Sequence, residues 1–161
     1  MISKLDLRKI KAISDYQFGP DITDIIFKEE NQIQIKHSKN TGRIKYIYEK
    51  DKRLFTFRPT NGFLTLSLHA AIKILQDTIP PRLRVIVRTD ISEFIQMGRN
   101  VFCKHVIDVD DSLRAMDEAI VVNQEDELLA VGRLKITVPY IKALNSGIAI
   151  IVRKGINKLK N

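Results

Sequence analysis

Tryptophan is absent from this chain, aromatic residues make up only 7%, and cysteine occurs once, at Cys103. A single cysteine excludes an internal disulfide. Its place in an apolar strand pattern suits packing better than chemistry, and it is consistent with a reducing, cytoplasmic setting. Histidine is scarce too: His37, His69 and His105 are the whole supply. A zinc site with Cys/His spacing cannot be assembled from these. Cys103 and His105 read as neighbours on one strand, yet as a nucleophile and base they lack an orienting acid. No run approaches the roughly 18 apolar residues of a membrane helix. The start, Met1-Ile2-Ser3-Lys4-Leu5-Asp6, has no secretory core. The expectation is therefore a chain with no membrane partner, no metal and no cofactor.

What the chain does have is positive charge and aliphatic bulk. Lys and Arg number 27 against 19 Asp and Glu, a net of +8 in 161 residues. The excess is shared, with +5 from 14 basic and 9 acidic groups in residues 1–80, and +3 from 13 and 10 in residues 81–161. Such a balance points to a polyanionic partner, nucleic acid before membrane. The length suits one domain of usual size or two small ones.

Taken in order, Lys4–Ile13 reads as a short basic helix, broken by Ser14-Asp15-Tyr16-Gln17-Phe18-Gly19-Pro20. Asp21–Phe27 has room for one or two further helical turns. Gln32–His37, Arg43–Glu49, Arg53–Arg58 and Phe63–Leu66 form an antiparallel meander of four strands, with Asn61-Gly62 as a turn signal. Ser67 caps a helix over Leu68–Gln76, with Leu68, Ala71, Ile72 and Leu75 inward. Pro80-Pro81 is the best domain boundary, giving domains at 1–80 and 81–155 and a basic tail at 156–161. In the second domain Leu83–Val87, Ala119–Val122, Leu128–Ile136 and Ile148–Arg153 read as strands, and Leu113–Glu118 as loop. Val138–Asn145 reads as a short helix. Gly132, inside its strand, predicts a bulge or a close backbone approach. The fold class is α+β, a small α+β domain followed by a small mixed barrel.

The segment Asp90–Val106 organises the second half. Asp90 with Glu93 is a capping-box pattern, and Ile91, Phe94 and Ile95 give one helical stripe. Gly98 follows, where a left-handed residue ends a helix, and Val101, Phe102 and Val106 begin a strand. Arg99, Asn100 and Lys104 surround that bare backbone with donors suited to phosphates and ribose hydroxyls; the structural alternative is a plain helix end with solvated charges. Lys39 and Arg43, in the first hairpin turn, are further phosphate-contact candidates. Tyr46, Tyr48, Phe55 and Phe57 stand beside Lys45, Arg53 and Arg58 and would stack on bases if exposed, although period-2 alternation favours a core role. The acidic groups Asp108, Asp110, Asp111 and Glu125, Asp126, Glu127 read as solvated turns.

Residues 84–155 carry a resemblance. Arg99-Asn100-Val101-Phe102-Cys103-Lys104, Asp117-Glu118-Ala119-Ile120-Val121-Val122, Leu128-Leu129-Ala130-Val131-Gly132-Arg133 and Gly147–Gly155 together resemble a PUA domain. Ile13–Gly19, Ser38–Ile44 and Thr60–Ser67 resemble the domain that precedes PUA in archaeal tRNA-guanine transglycosylase and in its paralogue archaeosine synthase. The resemblance covers nearly the whole chain but not the catalytic barrel of those enzymes. It implies an α+β domain followed by a PUA pseudo-β-barrel. The implied role is that of a non-catalytic, tRNA-binding accessory protein, acting with a separately encoded archaeosine tRNA-guanine transglycosylase-type catalytic subunit. The alternative it leaves open is a translation-associated PUA protein that engages the ribosome or initiator tRNA. Carried over by position, it implies RNA contacts at Gly98, Arg99, Asn100 and Val101, at Lys104 on the following strand, and at Arg133, Arg153 and Lys154.

Overall fold

A computed structural model of the protein describes residues 3–157. The expected tail lies outside the described residues from position 158 onward. The chain divides between Asp77 and Thr78 into two compact units.

The first unit contains α1 (Lys4–Phe18), α2 (Pro20–Ile26), β1 (Ile33–His37), β2 (Ile44–Glu49), β3 (Lys52–Phe57), β4 (Leu64–Leu66) and α3 (Leu68–Asp77). The strands form the expected antiparallel meander in sequence order. The first helix is longer than the sequence suggests. Ser14 does not break it, because its hydroxyl is buried and accepts from Thr23 Oγ1 at 2.7 Å. A satisfied buried hydroxyl carries little penalty, so the inward stripe runs Ile10, Ser14, Phe18, one turn apart. Phe18 stacks on Phe55 at 5.8 Å. Gly19, with φ of 101°, ends α1. Ser67 caps α3 by accepting from the Ala70 N–H at 3.0 Å. The inward face of α3 is Leu68, Ala70, Ala71 and Ile74, whereas Ile72 is 41% exposed, a correction to the expected stripe. The far edge of β4 is closed by one side chain. The Gln17 amide donates to Leu64 O at 2.7 Å and accepts from Leu64 N at 2.8 Å. It thus stands in for a missing strand.

The second unit contains β5 (Arg84–Val87), α4 (Ser92–Gln96), β6 (Val101–Phe102), β7 (Val106–Val109), β8 (Glu118–Val122), β9 (Leu128–Leu134), α5 (Val138–Ala143) and β10 (Ile148–Gly155). The sheet order is β6-β10-β9-β8-β5-β7, antiparallel except where β5 lies parallel to β8. The result is a nearly closed pseudo-barrel. Val85, Val87, Val101, Ile120 and Ile150 are fully buried inside it. Gly132 meets the last strand so closely that a Cβ there would stand 2.3 Å from Ile151 O, the close approach expected.

Charged groups hold this barrel in ways the sequence hides. Arg84 is fully buried and grips Asp126 with two hydrogen bonds, at 2.7 and 3.0 Å. It also donates to Thr78 Oγ1 at 2.9 Å. Asp126 is therefore a structural counter-ion and not a freely solvated turn residue. Asp110 is buried too, accepting from Leu83 N at 2.7 Å and from the Ser112 hydroxyl at 2.7 Å. Burial pushes its carboxyl up, but the Leu83 and Ser112 donors outweigh that and hold it below its ordinary value. Glu118 starts β8 as a buried residue and does not belong to a loop. The final strand runs on through Lys154 to Gly155, past the expected end at Arg153.

Candidate nucleic-acid interface

The corner at Gly98 is built by a short helix that runs into the last strand. Asp90 does not cap it. That residue lies in a 3-10 turn over Thr89–Ile91 and pairs with Arg88 at 2.5 Å. The Ser92 hydroxyl donates to Thr89 O at 2.7 Å instead. Ile95 is buried and anchors the helix, while Phe94 is 57% exposed. Met97 N donates to Glu93 O at 3.1 Å and Gly98 N to Ile95 O at 2.9 Å. Gly98 then takes φ of 95°, a backbone that favours glycine.

Two devices fasten this corner to β10. A Cβ on Gly155 would stand 2.2 Å from Gln96 O and 2.7 Å from Gly98 N, so the last strand can seat only a glycine there. The Asn100 Oδ1 accepts from Val152 N at 3.0 Å. Asn100 was expected among the donors facing RNA; its carbonyl is committed to holding β10. Val101 is fully buried and offers no side chain to a ligand.

The cations of the expected set divide. Arg99 is exposed, its guanidinium 5.9 Å from the Phe94 ring. Lys104 is exposed as well, though on a 3-10 turn (Cys103–His105) and not on a strand, the turn being closed by Val106 N donating to Cys103 O. Arg153 has a structural duty. Its guanidinium makes a two-point pair with buried Glu118, at 2.9 and 2.6 Å. Arg133 and Lys154 are half-buried on β9 and β10. Lys39 and Arg43 are exposed in the first unit. Arg43 borders a cleft of about 470 Å³ that also includes Lys9, Ile13 and the Asp6–His37 pair, whose atoms are 2.9 Å apart.

The same turn carries both Cys103 and His105. Burial pushes the Cys103 thiol up. Burial, then the Lys104 and Arg88 charges, push His105 down. A thiol whose deprotonation is disfavoured is poorly set for nucleophilic chemistry. Among the described residues no group of three or more His, Cys, Asp and Glu side chains is arranged to hold a metal ion. No described helix is long and apolar enough to cross a membrane.

Residues 8–82 match the family described as the patch-forming domain C2 of tRNA-guanine transglycosylase. Residues 83–156 match the PUA domain family. The chain is a transglycosylase C2 domain joined to a PUA domain. The tRNA-guanine(15) transglycosylase of Methanothermobacter thermautotrophicus is 37% identical over 93% of this chain, which spans 23% of that relative. That of Methanobrevibacter smithii is 40% identical over 97% of it, again 23% of the relative. The chain thus covers about a quarter of the curated relatives it matches. Two solved structures share the fold nearly end to end. A hypothetical protein of Pyrococcus horikoshii has a TM-score of 0.76 at 21% identity, covering 99% of this chain and 98% of that one. A conserved PUA domain protein of Thermoplasma acidophilum has a TM-score of 0.66 at 20% identity, covering 96% and 91%.

Proposed function

We propose that this C2–PUA chain is a non-catalytic tRNA-binding protein that assists archaeosine formation by a separately encoded transglycosylase-type subunit. The observation that carries this is the Gly98 corner of the PUA domain. There Arg99 and Lys104 stand exposed on backbone locked to β10, and neither forms an ion pair among the described residues. Uncompensated cations on a rigid edge give phosphate contacts without the cost of breaking internal pairs. The match to transglycosylases named for tRNA, continuous over both domains, supports tRNA as the RNA and base exchange as the process served. A non-catalytic role is supported by the burial that disfavours the Cys103 thiolate and by the structural duties of Asp110, Glu118 and Asp126.

The test is filter binding of a tRNA transcript across a salt series. Wild-type protein binds with a steep negative salt slope, and Arg99→Glu lowers affinity about tenfold. Salt-independent binding, or full affinity in Arg99→Glu, removes the corner from the site. A pull-down from native extract tests the partner. Recovery of a transglycosylase-type enzyme supports the assignment, and recovery of small ribosomal subunits alone overturns it.

A further inference from the structure

The outer face of the first unit's sheet is not used by anything above. Strand register fixes what it shows. Lys36 of β1 lies opposite Tyr46 of β2, which lies opposite Thr56 of β3. One step along, Gln34 lies opposite Tyr48, and Tyr48 opposite Arg53. The other face carries the row Ile35, Ile47, Phe55, Leu66, in which Ile47, Phe55 and Leu66 are buried. The two tyrosines are therefore separated from the core aromatics by the sheet itself. They meet edge to face at 6.2 Å.

Cations gather over these rings. Lys36 Nζ sits 4.6 Å from the Tyr48 centroid. Lys45 Nζ and the Arg53 guanidinium sit 5.0 and 5.4 Å from the Tyr46 centroid. Alternation alone would send Lys45 to the opposite face, yet its stem folds back over Tyr46. All three cations are exposed, and among the described residues none meets a carboxylate at ion-pair distance. Lys45 and Arg53 share one ring, so their charges lie within about one Debye length, roughly 10 Å, and repel. Both tyrosines are half-buried, and a cation over a ring so close to solvent gains only a modest attraction. Like charges held this way are relieved by an anion.

We propose that this face is a second RNA contact, taking unpaired nucleotides by stacking on Tyr46 and Tyr48 while Lys36, Lys45 and Arg53 hold the phosphates. Aromatic rings interleaved with free cations on a pleated surface match single strands, whose bases are open for stacking; a duplex hides its base faces. Two of its three cations are lysines, a residue that protein–protein interfaces disfavour. The proposal rests on the RNA-binding assignment but concerns the C2 domain alone, and the two fail separately.

The chain has four tyrosines and no tryptophan, so tyrosine emission reports directly on the stacking. The probe is a single-stranded oligouridylate, with an RNA duplex of equal length as control and a tRNA transcript in parallel. The single strand quenches tyrosine emission in the wild type and the duplex does not. Tyr46→Thr/Tyr48→Thr abolishes the quenching and weakens single-strand binding about tenfold. Lys36→Gln/Arg53→Gln leaves both rings in place, so emission without RNA is retained while single-strand affinity falls about tenfold and the salt slope flattens. Should wild-type protein bind tRNA while both double variants keep full single-strand affinity and quenching, the sheet face is not a contact and the corner stands alone. Should wild-type protein bind neither tRNA nor the single strand, both proposals fall.

Discussion

The two units treat charge in opposite ways. The C2 domain leaves Lys36, Lys45 and Arg53 exposed and, among the described residues, without counter-ions, while Glu49 is enclosed at 13% side-chain exposure between Lys73 and His69. The PUA domain buries Arg84 completely and Glu118 and Asp110 nearly so, and spends their partners on closure. The reason is topological. A meander of sequential hairpins is tied by its turns. A pseudo-barrel whose chain ends run along β5 and β10 must pin distant segments to each other, and buried two-point ion pairs do so with fixed geometry. A cation count therefore says little about which cations are available to RNA. Arg153 was expected to face RNA and is paired with Glu118; Lys36 was not singled out, yet it is exposed and meets no carboxylate among the described residues.

The comparison breaks first at Asp126. Asp126→Asn removes the carboxylate that pairs with the fully buried Arg84 at two points and costs about 3 kcal/mol. Arg84→Met costs less, because the partly exposed Asp126 can then hydrate. Hydrogen exchange of β8–β10 amides follows the loss, with C2-domain amides unaffected; equal effects in both domains would contradict the contrast. Next is Gly155→Ala. Its methyl collides with the Gln96 and Gly98 backbone, which costs about 1–3 kcal/mol and displaces the corner. Affinity for tRNA falls with stability there, whereas Gly62→Ala, in open space though at φ of 76°, leaves tRNA binding unchanged.

Acid sharpens the contrast further. Burial raises Glu49, but the Lys73 and His69 hydrogen bonds outweigh it and leave the carboxyl below 4.5; Asp110 is likewise held below 3.8. Depressed folded-state values mean stability that is present above the ordinary values and lost as pH falls through the folded ones. Each domain therefore loses protection below about pH 4. Glu49→Gln flattens the acid arm of the C2 domain only, and Asp110→Asn that of the PUA domain only, read as amide exchange against pH. The smallest effect belongs to Arg99→Gln. It leaves stability within about 0.5 kcal/mol, because Arg99 holds only the exposed Phe94 ring. Arg153→Gln, which removes the two-point pair to buried Glu118, lowers stability measurably in the same denaturation assay.

Much of the fold was legible because its signals are local. Alternation gave the four-strand meander, Asn61-Gly62 its last turn, and Ser67 the start of α3. Gly98 and Gly132 marked a left-handed corner and a close approach, since both properties follow from the absence of a Cβ. What local pattern could not show was partnership. Ser14 looked like a helix breaker until Thr23 supplied its hydrogen bond, and Asp110 and Asp126 looked like turn residues until Leu83 and Arg84 arrived from elsewhere in the chain.

The sequence by itself determined the α+β class, the order of elements, the surplus of positive charge and the resemblance to a C2–PUA pair, all written in spacing and residue type. Only the tertiary structure decided which donors remain for RNA. A side chain's availability depends on what closes around it in space, and for Val101 and Arg153 that closure is made by strands distant in the chain.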